Sequence, residues 1–133
     1  MIKPIGSDTL NPLFVDDEQR RQALINEASS LPSIIVSSAT AANAVMLGGA
    51  YFNPLTGYMN LADARSVAES MKMSDGLFFP IPLLNLVESA DGIYVGSRIA
   101  LLDPNVDGNP VIAIQDVTSI DAASDDDMQR MTA

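Results

Sequence analysis

The sequence predicts an α+β domain built on a small β barrel, and three observations predict it. Three stretches carry apolar residues at spacings of three and four behind a capping side chain. Several short, β-branched runs are separated by Gly, Pro and Asp turns. Pro80 and Pro82 stand two residues apart in an otherwise strand-like run. With 133 residues, 47% hydrophobic and 18% charged, the chain fits one domain whose core can offset the entropy of ordering.

Residues 1–15 read as an extended arm punctuated by Pro4, Gly6 and Pro12, with Leu10, Leu13, Phe14 and Val15 available to dock. Asp16 or Asp17 caps a first helix running to about Leu31, acidic in its first turn where the helix dipole favours negative charge. Its buried stripe is Ala23, Leu24, Ala28 and Leu31, and Pro32 closes it. Ile34-Ile35-Val36 is β-branched and short, a buried strand. Ser38 caps a second helix with Ala41, Ala44, Val45 and Leu47 as its apolar face, and Gly48-Gly49 can take the left-handed conformation that ends it. Asn53-Pro54 starts a turn, and Gly57 relieves a second tight position.

Asn60 caps a third helix to about Lys72, on Ala64, Val67, Ala68 and Met71, and Ser74-Asp75-Gly76 is its exit turn. From Leu77 to Val87 the pattern is a strand whose two prolines lack amide donors on the same side, so it belongs at an edge or a barrel corner. Ala90-Asp91-Gly92 turns into a strand at Ile93-Tyr94-Val95, which Gly96 interrupts and Arg98 to Leu102 resumes. Val111 to Ile120 is the longest strand, with Val111, Ala113, Gln115, Val117 and Ser119 on one face and Ile112, Ile114, Asp116, Thr118 and Ile120 on the other. Ser124 with Asp127 three residues on is a capping box, so a further helix begins there. A helix of about ten residues is marginal unless it packs on something, and the expectation is a natural polypeptide that continues past Ala133.

The bulk chemistry narrows the function classes. Seventeen acidic against seven basic residues give a net charge of -10, which repels nucleic acids and anionic membranes. The absence of cysteine removes disulfides, thiol nucleophiles and cysteine-based metal sites; the absence of histidine removes the commonest general base and transition-metal ligand. The first eight residues contain no apolar signal core, and the longest apolar run, Leu77 to Leu84, is too short to span a bilayer, so a cytoplasmic chain is expected.

Each candidate site has a plainer reading. Asp103-Pro104-Asn105-Val106-Asp107-Gly108 has the spacing of a calcium loop, but Ile114 stands where a bidentate glutamate is required; an Asx-rich turn is the reading preferred. Asp125, Asp126 and Asp127 point in different directions on a helix and suit a solvated N-terminus. Gly48-Gly49 follows a helix and no lysine comes after it, so it is a C-cap and not a phosphate loop. Tyr51, Phe52 and Tyr58 could stack a base, yet only Arg65 and Lys72 lie nearby, and they read as core anchors. Arg20, Arg21, Arg65 and Arg98 are the candidate anion contacts, scattered through three elements. No residue is assigned a catalytic, cofactor-binding or metal-binding role.

The segment Gly48-Gly49-Ala50-Tyr51-Phe52-Asn53-Pro54-Leu55-Thr56-Gly57-Tyr58-Met59 resembles the "G-G-F-x-P-L-x-G-F-M" turn of the ATP sulfurylases, or sulfate adenylyltransferases. The resemblance continues through Asp75-Gly76-Leu77-Phe78-Phe79-Pro80-Ile81-Pro82, Ala100-Leu101-Leu102-Asp103-Pro104 and Ala113-Ile114-Gln115-Asp116-Val117, similar to the family's "D-G-x-x-W-P-x-P", "A-L-x-D-P" and "A-I-x-D-V". It implies the family's N-terminal domain, a PUA-like pseudobarrel with about three helices. Residues 1–121 would form that domain and 122–133 the start of a linker helix towards an absent catalytic domain.

The family joins sulfate to the α-phosphate of ATP, giving adenosine 5′-phosphosulfate and pyrophosphate, or runs the reverse. The resemblance implies that MgATP is handled by the catalytic domain, whose "Q-x-R-N-P-x-H-x-x-H" and "G-R-D-H-A-G" segments do not occur here. The fragment then holds no cofactor and serves structurally, with the catalytic domain of the same polypeptide as its partner and a second copy of the chain left open. Two alternatives from other classes stand beside it. One is a free-standing PUA-like module that binds RNA or protein, which the charge of -10 argues against for RNA; the other is a small regulatory protein that kept the fold.

Overall fold

Of the two candidate caps, Asp17 and not Asp16 starts the first helix: its carboxylate accepts from the amides of Gln19 and Arg20, and α1 runs Glu18–Ala28. The computed structural model describes residues 12–53 and 55–132; residues 1–11 of the expected arm, and the Pro54 of the expected turn, lie outside the described residues. Helix α1 stops at Ala28, short of Leu31, because Ser29 and Ser30 donate their hydroxyls back to the carbonyls of Asn26 and Glu27 and compete with further helical turns. Of the expected stripe only Ala28 is buried, Leu24 and Leu31 are half-buried and Ala23 is exposed, so α1 is a largely solvated helix.

The described residues divide into two compact units. The first comprises the chain up to Gly57 together with Leu86–Thr118, and its sheet has three strands in the order β1-β2-β3: β1 Ser33–Ile35, β2 Arg98–Leu102 and β3 Val111–Asp116. Strand β2 pairs parallel with β1 (Ser33 opposite Ala100) and antiparallel with β3 (Arg98 opposite Asp116), with a register shift at Leu101 and Leu102. As the central strand it is covered on both faces, and Ile99, Ala100 and Leu101 are all buried. Strand β1, expected to be buried, is an outer strand with Ile35 60% exposed, and burial passes to Val36 just beyond it.

In this unit one expected strand is absent and another is shortened. Ile93-Tyr94-Val95 is a turn, because Gly92 and Gly96 take left-handed φ values of 79° and 89° at its two ends and the Ser97 amide donates to the Tyr94 carbonyl. The longest expected strand ends as a ladder at Asp116; Val117 still bonds Ser97 and Gly96, and Thr118, Ser119 and Ile120 are exposed.

The second unit comprises Tyr58–Asn85 with the segment from Ser119 onward, and contains α3 Leu61–Ser70 and α4 Asp125–Thr132. Asn60 caps α3 by accepting from the Asp63 amide, as the sequence predicts. Ala64 and Val67 are buried, whereas Met71, placed in the stripe by its spacing, is the left-handed C-cap residue (φ 56°) and is exposed. The strand expected from Leu77 to Val87 reduces to one isolated bridge between Lys72 and Phe78. Pro80 and Pro82 remove alternate amide donors, so no ladder propagates. The bonds that hold this segment include the Phe79 amide to the Met71 carbonyl and the Met59 amide to the Leu83 carbonyl.

Candidate functional site

The stretch that carries the resemblance opens with α2, Ser38–Gly48. Its cap is Ser37 and not Ser38: the Ser37 hydroxyl accepts from the Thr40 amide at 3.1 Å, which frees Ser38 to donate to the Asn105 side chain at 3.0 Å. The left-handed residue that ends the helix is Ala50 (φ 65°), not Gly48 or Gly49. Each of the two glycines has an aromatic ring close against it. A Cβ on Gly48 would collide with the ring of Phe14, and one on Gly49 would lie 2.9 Å from the ring of Tyr51. The Gly48 carbonyl accepts from the amides of both Leu13 and Phe14, so the incoming chain is tied to this helix end.

This packing changes the reading of the aromatics. Tyr51, expected as a core anchor, is 75% exposed; Phe52 is half-buried. In the second unit Tyr58 is half-buried, and burial pushes its phenol up to about 12. Because the folded pKa is raised, the neutral phenol stabilises the fold below pH 10, and that contribution is lost as pH rises from 10 towards 12. A Tyr58→Phe variant is therefore expected to lose the last ionisation step in an ultraviolet titration of the folded chain.

Three of the four candidate anion contacts are engaged by carboxylates. Arg21 pairs with Glu18 at 3.6 Å on the surface of α1, where Arg20 is also exposed. Arg98 donates to Glu27 at 2.6 Å and lies 3.2 Å from Asp116 across the ladder, so it fastens α1 to the sheet. Arg65 on α3 grips Asp127 on α4 with two bonds of 2.7 Å. Asp127 is buried, and its role follows from its place in the predicted capping box: it accepts from the Ser124 amide at 3.0 Å while Ser124 accepts from its own amide at 3.1 Å. Asp126 instead meets Arg130, which also reaches Glu69 of α3. The Asp125-Asp126-Asp127 run thus diverges, as helical geometry requires, and one member clamps two helices.

The Arg65 guanidinium, aided by the Ser124 amide, holds the Asp127 carboxyl well below the usual carboxylate range. A depressed folded pKa gives stability that is fully present above the unfolded value near 4 and is lost as pH falls below it. The protection factors of the α4 amides, observed exchange corrected for its intrinsic pH dependence, are expected to hold from neutral pH down to about 4 and to fall below it, and in Asp127→Asn to be low throughout. Equal exchange in the variant would show that the clamp does not hold α4.

The calcium-like loop is a turn built on itself. Asp103 accepts from the Asn105 amide at 2.9 Å, the Asn109 side chain donates to the Asp103 carbonyl, and Gly108 and Asn109 adopt left-handed φ values. Among the described residues no group of three or more acidic side chains is placed to hold a metal ion.

With the helix end, its tied arm and the paired arginines in place, comparison with known proteins decides the family. The family described as PUA-like domain matches residues 2–131. The chain belongs to the PUA-like domain family. This PUA-like domain is 61% identical over 132 residues to the sulfate adenylyltransferase of Allochromatium vinosum, covering 99% of the chain and 33% of that relative. It is 52% identical to the sulfate adenylyltransferase of Alcanivorax borkumensis (97% of this chain, 32% of the relative) and 48% identical to that of the Riftia pachyptila sulfur-oxidizing endosymbiont (99% and 30%). The PUA-like domain spans about a third of the length of these relatives. Among solved structures, it is similar to the hexameric APS kinase from Thiobacillus denitrificans, with a TM-score of 0.67 and 32% identity over 86% of this chain and 22% of that one. The α+β, PUA-like fold class expected from the sequence is the one found. No helix among the described residues is long and apolar enough to cross a membrane.

Proposed function

We propose that this chain is the N-terminal, non-catalytic domain of a sulfate adenylyltransferase, and that the joining of sulfate to the α-phosphate of ATP, or its reverse, is carried by the remaining two-thirds of that polypeptide. The observation that supports this is identity of 61% over nearly the whole chain to a third of such a protein. The side chains agree with it. A triphosphate and a sulfate need convergent cations to stabilise charge at the reacting phosphorus. Here Arg21, Arg65 and Arg98 lie in separate elements, each paired with a carboxylate, and do not fit such a cradle.

MgATP is therefore assigned to the remainder of the polypeptide. Residues 1–121 are proposed as the body of the domain and 122–133 as the stretch that leads towards that remainder, in a cytoplasmic protein of sulfur metabolism. An assay tests the assignment: the isolated 133-residue chain is expected to form no ATP from adenosine 5′-phosphosulfate and pyrophosphate, while the complete polypeptide does. Activity in a homogeneous 133-residue sample would sink it.

A further inference from the structure

Helix α2 contains no ionisable side chain, although the chain carries seventeen acidic and seven basic residues. Ala41 and Leu47 bury its inner side. Ala39, Ala42, Val45 and Met46 recur at spacings of three and four on its other side and are exposed, Val45 by 58%. The helix's polar residues, Ser38, Thr40 and Asn43, are uncharged, and an exposed face this apolar is suited to being covered. The surface extends past the helix end: Phe14, 61% exposed, has its ring against Gly48, and Tyr51, 75% exposed, has its ring against Gly49. None of these six residues is charged.

We infer that this face is the docking surface for the remaining two-thirds of the sulfate adenylyltransferase polypeptide, an inference that rests on the function proposed above. Two arguments select that occupant over a second copy of the chain. The first is length: the matched relatives carry about twice as much chain outside the aligned third as within it. The second is size. Six residues are far fewer than the roughly 20–30 a side that a stable free-standing interface engages. A covalently attached partner needs less, because tethering raises its effective concentration to about the millimolar range. The absence of charge on the face calls for an apolar, uncharged counterpart.

Hydroxyl-radical footprinting tests the inference on the polypeptide expressed from the complete native gene, beside the 133-residue chain, with the intact mass of each measured first. Phe14, Met46 and Tyr51 are expected to be modified several-fold more slowly in the long polypeptide, independently of concentration. Equal rates in the two would overturn the docking surface while leaving the proposed function standing. Protection that appears in the 133-residue chain alone and grows with its concentration would overturn the choice of occupant in favour of a second copy. A native product of 14.1 kDa would remove the occupant and fail the proposed function itself.

Ala42→Glu supplies a second reading, since it places a good helix former at an exposed helical position. It is expected to leave the melting temperature of the 133-residue chain unchanged and to restore labelling of Met46 and Tyr51 in the long polypeptide. Undiminished protection in that variant overturns the inference.

Discussion

Leu101→Ala is expected to cost the first unit about 2–5 kcal/mol, the range for truncating a buried leucine where the surroundings cannot collapse. Leu101 is 1% exposed at the centre of β2, paired with Ile34 on one side and Ala113 on the other. The ladders on both sides hold the backbone in place, so the cavity persists. A loss of that size is a large share of the roughly 5–15 kcal/mol that keeps a domain folded. The control is Ile35→Thr on outer strand β1, which keeps the β-branch at a position already 60% exposed and should change stability by about 0.5 kcal/mol or less. Urea unfolding of both variants, with unchanged m-values, checks the pair. A Leu101→Ala loss below about 1 kcal/mol would mean that β2 is not the core of this unit.

The parts of this fold that the sequence disclosed are those set by local chemistry. Asn60 and the Ser124–Asp127 capping box each declare themselves by a side chain that must satisfy a neighbouring amide and cap as read, and of the two aspartates offered for the first helix, Asp16 and Asp17, it is Asp17 that caps. β2 was legible because it must be apolar on both faces. What local pattern could not show was which of several β-branched runs finds a partner strand. Tyr94 and Val95 have strand composition but sit between two glycines with positive φ. The Gly48-Gly49 pair was read for conformation, yet neither takes a positive φ, and what local pattern could not show is that the ring of Phe14, from 34 residues earlier in the chain, lies against Gly48. The Arg65–Asp127 clamp was missed for the same reason. Each residue was noted alone, and only the packing of α4 on α3 brings them to 2.7 Å.

The Leu77–Val87 segment supplies the sharpest test of that distinction, through Leu83→Ala against Ile81→Ala. In a strand, Phe79, Ile81 and Leu83 would share one face, and truncating either aliphatic residue would cost the second unit a similar amount. In the structure the face is broken: Phe79 and Leu83 are buried, Leu83 completely, while Ile81, between the two prolines, is 45% exposed. The expected cost is therefore about 2–5 kcal/mol for Leu83→Ala and less than about 1 kcal/mol for Ile81→Ala. The backbone reinforces the asymmetry, because the Leu83 carbonyl accepts from the Met59 amide at 2.6 Å, and a shift of the emptied segment would strain that bond. Thermal unfolding of the two variants separates the cases. Equal losses would restore a regular strand here, with the prolines facing outward as its sequence pattern suggests. A loss confined to Leu83→Ala would mean that the two missing amide donors, and not the apolar alternation, decide the path of the chain between Leu77 and Val87.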